Sequence, residues 1–423
     1  MPAPDRVIVV GGGVAGLVAA RELVLAGREV VLLESSDRLG GQLTSHAVAG
    51  IQLDAGAEAY AQRGDDIPRL LRALALHDDI VTPVEAPAWL HRADGSAVPL
   101  PATSLLGIPG VPLARDVIEA IGMRAALRAQ LDNLLPGLVA ARAESVEQLV
   151  LRRMGRGVLD GLVAPVVRGV HSTSPAEVRV EQVAPGLRAL MLSAGSLAAA
   201  VRARRAKAPS GSLVASLRGG LFRFVDALVH DLDRFGVEVR TGTEVVAADV
   251  DGVTTSTGER LRGEVVMAAP LGVDAPRTRV TVVTLALDAP ELADAPRGSG
   301  VLVAQGAPGA AARALTHLSA KWRWLAEASP LQLVRLSYDD GVEVTPELAR
   351  RDAEALLATP LPHPVDTATV RWERTGRRSD PAHAIDGMRR VGEAESGTGL
   401  AAVVSYARSV IDAIPSSVEG GEG

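Results

Sequence analysis

The sequence predicts an α/β protein: a discontinuous Rossmann-like nucleotide-binding domain with an inserted mixed-sheet substrate domain and a helical region. Three observations predict it. A β-branched run, a glycine turn and an apolar helical pattern follow one another near the start of the chain. Long helical patterns fill the middle, and strand–helix alternation returns after them. The length, 423 residues with 47% hydrophobic and 22% charged, exceeds what one compact domain usually holds and supplies a sizeable core.

In chain order, residues 7–10 read as a buried strand, 11–16 as a turn, 17–25 as a helix closed by Gly27, and 29–33 as a second strand. Residues 6–34 thus make one βαβ unit, and its two strands have to be parallel. From about Ile67 to Ala200 the pattern is helical, clearest at 118–135 and 145–162. A helix is expected at 217–235, then strands at 237–240, 245–250 and 265–268. Strands at 280–287, 301–304 and 331–338 predict a second sheet, and 346–357 a helix. The stretch 388–414 reads as a short strand, a glycine turn and a helix before a polar tail. There is no internal repeat.

Composition narrows the chemistry. A net charge of −6 argues against nucleic acid as a partner, because such binders need a basic field. With no cysteine, disulfides, thiolate catalysis, iron–sulfur ligation and cysteinyl flavin attachment are all excluded, so redox chemistry requires a bound cofactor. No basic leader precedes the first strand, and a cytoplasmic protein is expected. The longest near-apolar stretch, 189–201, is short and interrupted by serines; no membrane span is expected, and peripheral membrane contact stays open. The sequence does not fix the oligomeric state. Aromatic residues make up only 2% of the chain, so aliphatic walls must hold any planar ligand.

Gly11, Gly13 and Gly16, with Val14 and Ala15 between them, form a dinucleotide fingerprint. Gly11 permits the tight turn, Gly13 lets backbone approach a pyrophosphate, and Gly16 lets the helix pack on the strand. Glu34 ends the second strand, where a carboxylate accepts hydrogen bonds from ribose hydroxyls and repels a 2′-phosphate. That favours FAD or NAD over NADP. No second fingerprint follows a mid-chain strand, so electrons are expected to come from an organic substrate rather than NAD(P)H.

The next residues separate FAD from NAD. Glu34-Ser-Ser-Asp-Arg38-Leu-Gly40-Gly41-Gln42 and Asp54-Ala-Gly56-Ala57-Glu58 resemble the FAD-containing amine oxidase superfamily. That resemblance implies that Arg38, Gly40 and Gly41 approach the pyrophosphate while Gly56, Ala57 and Glu58 pass beside the flavin ring. Further segments are similar to the bacterial protoporphyrinogen/coproporphyrinogen oxidases over most of the chain. They are Pro99-Leu-Pro-Ala, Leu162-Val-Ala-Pro165 with Gly169-Val170-His171, Leu217-Arg218-Gly219-Gly220-Leu221, and Thr316-His317 with Lys321-Trp322. The resemblance implies an FAD-binding domain from 1–75, 206–275 and 386–423, and a substrate-binding domain from 76–205 and 276–385 that includes the helix-rich region. It places backbone near Val245 against the adenine. It closes Gly392-Glu393 and Gly397-Thr-Gly399-Leu400 over the ribityl chain and flavin pyrimidine. A helix starting near Leu400 would turn its positive end toward the reduced flavin.

The implied activity is FAD-dependent oxidation of a porphyrinogen, coproporphyrinogen III or protoporphyrinogen IX, to its porphyrin in haem biosynthesis. The partners are then a tetrapyrrole and oxygen. Lys321 is the one candidate catalytic residue, able to hold a water or steer oxygen; the alternative is a solvated lysine beside Trp322. Arg63 is a candidate for a substrate propionate, with a surface salt bridge as the alternative. His171 and His317 have no metal-ligand spacing, so no metal is expected. A short segment between Trp372 and Gly392 and the scarcity of aromatics point to a changed substrate. An amine, a polyene, or flavin binding without turnover are the alternatives.

Overall fold

The computed structural model describes residues 6–206, 214–271, 277–375, 387–397 and 399–413. The segment 376–386, Thr398 and the tail after Ala413 lie outside the described residues.

A five-stranded sheet runs Glu238–Arg240, Glu29–Leu33, Arg6–Val10, Glu264–Met267, Arg389–Arg390, parallel at every pairing. Alternation of side chains along a strand divides its core in two. Val7, Val9 and Leu32 pack with the helices Val14–Leu25, Arg223–Arg234 and Leu400–Asp412, whereas Ile8, Val10, Val31 and Leu33 pack on a small antiparallel sheet through Val245, Val253 and Leu261.

The second sheet has seven strands: Asp366–Thr375, Arg277–Leu287, Gln332–Asp339, Ala314–His317, Gly300–Val303, Ala88–His91 and Ala97–Pro99. It is mixed, because Gly300–Val303 pairs parallel with Ala88–His91 and the other pairings are antiparallel. Helix Pro346–Leu357 covers one face, its start capped by Thr345 Oγ1 accepting from the Leu348 N–H at 3.1 Å. A helical region carries its own core around Val150, Leu187 and Met191. The buried Arg153–Asp132 pair, at 2.5 Å, is satisfied by the Pro136 carbonyl and the Ala198 N–H.

The α/β organisation expected from the sequence is borne out; several boundaries are not. The stretch read as helices separated by Pro- and Gly-containing loops holds short strands between Ile80 and Pro109, two of them in the seven-stranded sheet. They are too short for alternation to show. The helix read at 118–135 begins at Arg115, breaks at Gly122 (φ 80°, ψ 157°) and ends at Gln130. The one read at 145–162 breaks after Arg153 at Gly155, whose φ is +89°. The helix read at 217–235 starts at Arg223; Val214–Leu217 is a strand, and the Gly219-Gly220 turn, with φ of 86° and 112°, separates them.

Candidate flavin site

The first strand delivers the chain into a turn that requires glycine at positions 11 and 16. A Cβ on Gly16 would lie 1.9 Å from the Gly11 carbonyl oxygen, so the helix can approach the turn only with hydrogen there. Gly11 takes φ +108° and donates to the Leu33 carbonyl at 2.7 Å. A Cβ on Gly13 would meet nothing within 4 Å, because that position faces open space at the start of helix Val14–Leu25.

Glu34 braces this turn: its Oε2 accepts from the Gly12 N–H at 2.7 Å and its Oε1 from the Ser36 N–H at 2.8 Å. Half-burial alone would raise its carboxyl, but these donors outweigh it and hold Glu34 below the ordinary range. The group stays charged.

A cavity of about 400 Å³ opens at this turn. It brings together Gly11, Gly13, Val14 and Ala15 with Glu34, Gly40, Gly41 and Ala57, and closes them with Gly392, Glu393, Gly399 and Leu400 from the far end of the chain. The structure adds Ala268, Ala269 and Arg390, which the sequence reading missed. Strands at 265–268 and near 388 were already expected, and parallel order beside the first strand would have carried their ends here. Five expected residues do not line the cavity. Gly16 works through packing. Arg38 is exposed and donates to the Gly41 carbonyl at 3.1 Å. A Cβ on Gly56 would meet the Gln42 carbonyl oxygen at 2.5 Å. Val245 packs its side chain into the core on the sheet's other face. Glu58 turns away into a charged cluster.

In that cluster Glu58, 15% exposed, sits 2.5 Å from the Lys321 ammonium and 3.1 Å from Arg335. Burial alone would raise its carboxyl; the Lys321 and Arg335 cations outweigh it and hold it low. Lys321 is therefore paired rather than free in solvent, and its ammonium also lies 5.2 Å from the Trp322 ring. Arg335, 6% exposed, donates as well to the Asp54 and Gly56 carbonyls, so one guanidinium from the seven-stranded sheet grips the whole 54–58 segment. The Asp54 carboxylate accepts from the Leu221 and Phe222 N–H groups at 2.9 and 2.8 Å, fixing the Gly219-Gly220 turn. Burial pushes Asp54 up to about 6 despite those donors. A lone Arg in the apolar strand Gln332–Asp339 was the signal for this latch, and it went unread. Arg63 donates to the Gln182 carbonyl at 2.8 Å and makes no ion pair among the described residues.

The flavin containing amine oxidoreductase family matches residues 14–305 of the chain. The chain belongs to that family. It is 30% identical to a coproporphyrinogen III oxidase of Mycobacterium leprae, across 97% of this chain and 98% of that protein. The same identity holds to the coproporphyrinogen III oxidase of Mycobacterium tuberculosis H37Rv, across 97% and 94%. A solved structure from Exiguobacterium sp. 255-15 superposes with a TM-score of 0.79 at 22% identity, covering 96% of this chain and 98% of that one. Cyclohexylamine oxidase from Brevibacterium oxydans shares the fold at a TM-score of 0.63 and 16% identity, covering 97% and 99%.

The chain is thus an FAD-dependent oxidoreductase, and its cavity suits that cofactor. The helix N-terminus with its side-chain-free turn accommodates a pyrophosphate, and a Cβ on Gly13 or Gly399 would project into open space. No group of His, Asp and Glu suited to a metal occurs among the described residues. Among them no helix is long and apolar enough to cross a membrane.

Proposed function

We propose that the protein oxidises a porphyrinogen, coproporphyrinogen III foremost, to its porphyrin in haem biosynthesis, with oxygen as final acceptor. One observation carries this reading: 30% identity to coproporphyrinogen III oxidases runs through 97% of the chain and so includes both ends of the cavity wall. The substrate loses six electrons and six hydrogens in three two-electron steps, and three oxygen molecules leave as peroxide. Bound FAD supplies the two-electron acceptor.

The chain's own residues position and shield. Gly11, Gly13 and the helix N-terminus would receive the pyrophosphate, with Gly40 and Gly41 opposite and Arg38 behind them. Glu34, held ionised, would accept from the ribose hydroxyls. Gly392, Glu393 and Gly399 would close the flavin end, where the first turn of Leu400–Asp412 presents its positive pole. Backbone near Val245 would face the adenine. Gly56 and Ala57, gripped by Arg335, would pass beside the ring, and Lys321, held by Glu58, would keep a positive charge there. The chemistry needs no general acid or base in the protein, because pyrrole protons can pass to solvent; orientation is the main contribution.

Anaerobic mixing of the FAD-loaded protein with coproporphyrinogen III tests the reading. Flavin absorbance should bleach and return on aeration as porphyrin fluorescence grows. Flavin that stays oxidised with this donor but bleaches with an amine would move the assignment to amine oxidation.

A further inference from the structure

Two guanidinium groups bind carbonyls three residues apart near the flavin cavity wall, and among the described residues neither has a carboxylate partner. Arg63 donates to the Gln182 carbonyl at 2.8 Å, and Arg204, from helix Leu197–Ala206, donates to the Pro185 carbonyl at 3.0 Å. Both carbonyls belong to one short segment, so two half-buried cations from distant parts of the chain converge on it. Glu181 is committed to Arg188 and the Gly186 N–H and Asp66 to Arg408, and the exposed Asp65 carboxylate makes no ion pair with either guanidinium. Arg63 and Arg204 have no ion pair among the described residues. Burial and the field of Arg204 both depress Arg63, which marks an uncompensated pair.

The place matters as much as the charge. The Gln182 side chain packs on Gly397, where an added Cβ would come 2.4 Å from Nε2. Gly397 stands between Glu395 and Gly399, which both line the flavin cavity. Each guanidinium has five N–H donors in a planar fork and gives one bond to a carbonyl here, so most of both forks is left for a carboxylate.

We propose that Arg63 and Arg204 form a carboxylate-binding site that anchors acidic side groups of the organic substrate beside the flavin. The proposal rests on the porphyrinogen reading for its substrate, a polycarboxylate ring, and on the structure alone for its ligand class. An anion bridging the pair removes their repulsion and takes charge-assisted bonds from both forks.

The test compares the FAD-loaded wild type with the Arg63→Gln, Arg204→Gln and doubly substituted proteins, using citrate as a substrate-independent probe. Citrate should raise the Tm of the wild type and leave that of the double variant unmoved. Without citrate at low ionic strength, the double variant should melt no lower than the wild type, because its substitutions remove a repulsion. KM for coproporphyrinogen III should rise about tenfold per substitution while flavin content holds. An equal citrate shift in both proteins, or a double variant that melts lower as a structural pair would, overturns the proposal. If citrate discriminates but coproporphyrinogen III bleaches no flavin, the site stands and the porphyrinogen reading falls. If bleaching occurs with neither KM nor citrate response altered, the reverse holds.

Discussion

The two sides of the flavin site are built on opposite principles. The 11–16 turn and, on the opposite wall, Gly392 and Gly399 work by the absence of side chains, leaving backbone N–H groups and space to a charged ligand. The 54–58 side works through side chains: Arg335 and Lys321 pair with Glu58, Arg335 also holds the Asp54 carbonyl, and the Asp54 carboxylate takes two backbone N–H groups. One half is a vessel, the other a brace. Substitution in the first should expel flavin, and in the second should loosen the protein that holds it.

The largest effect is expected at Gly16. Gly16→Val drives a side chain into the Gly11 carbonyl, so both folding and flavin binding should fail, read by circular dichroism and the flavin absorbance band. Gly13→Leu sharpens the contrast, because its side chain enters open space: melting should stay cooperative while the protein emerges colourless. Full yellow occupancy in that variant would remove the turn from the cofactor site. On the brace, Arg335→Met leaves Glu58 with one cation fewer and two carbonyls unpaired, and should lower unfolding free energy by about 3–5 kcal/mol.

Asp54 adds a pH signature. Its folded-state value of about 6 lies above the unfolded 3.8, so its stabilising contribution is complete below pH 4 and is lost as pH rises through 6. Between those limits Asp54→Asn should gain on the wild type by about 3 kcal/mol in denaturant titrations. A difference between the two proteins that does not change with pH would show that Asp54 ionises as freely as in an unfolded chain. Smallest is Lys321→Met, about 1 kcal/mol, because Lys321 is 22% exposed and Arg335 still answers Glu58.

The same contrast explains what the sequence revealed. A missing side chain is recorded as glycine, at fixed spacing within one βαβ unit, so the 11–16 turn, Glu34 and the parallel pairing of the two strands beside them were legible. The brace joins residues more than 250 positions apart. Nothing local in Asp54 or Arg335 states which partner each will find. The Arg63–Arg204 convergence was hidden likewise, and Arg63 alone suggested only a single contact. Short strands between Ile80 and Pro109 escaped notice because tertiary pairing, not periodicity, makes them strands.

The position of the last parallel strand has a consequence for synthesis. Arg389–Arg390 pairs with Glu264–Met267, so that strand waits at an open edge while the ribosome makes the residues between them. At roughly 5–20 residues per second the wait is on the order of ten seconds. During it the nascent chain holds a fingerprint turn but no opposite wall, and an exposed edge that invites pairing with another chain. Flavin can be enclosed only once residues 389–400 have been made, so cofactor supply acts on a chain that already carries both ends of the cavity wall rather than on its N-terminal half alone.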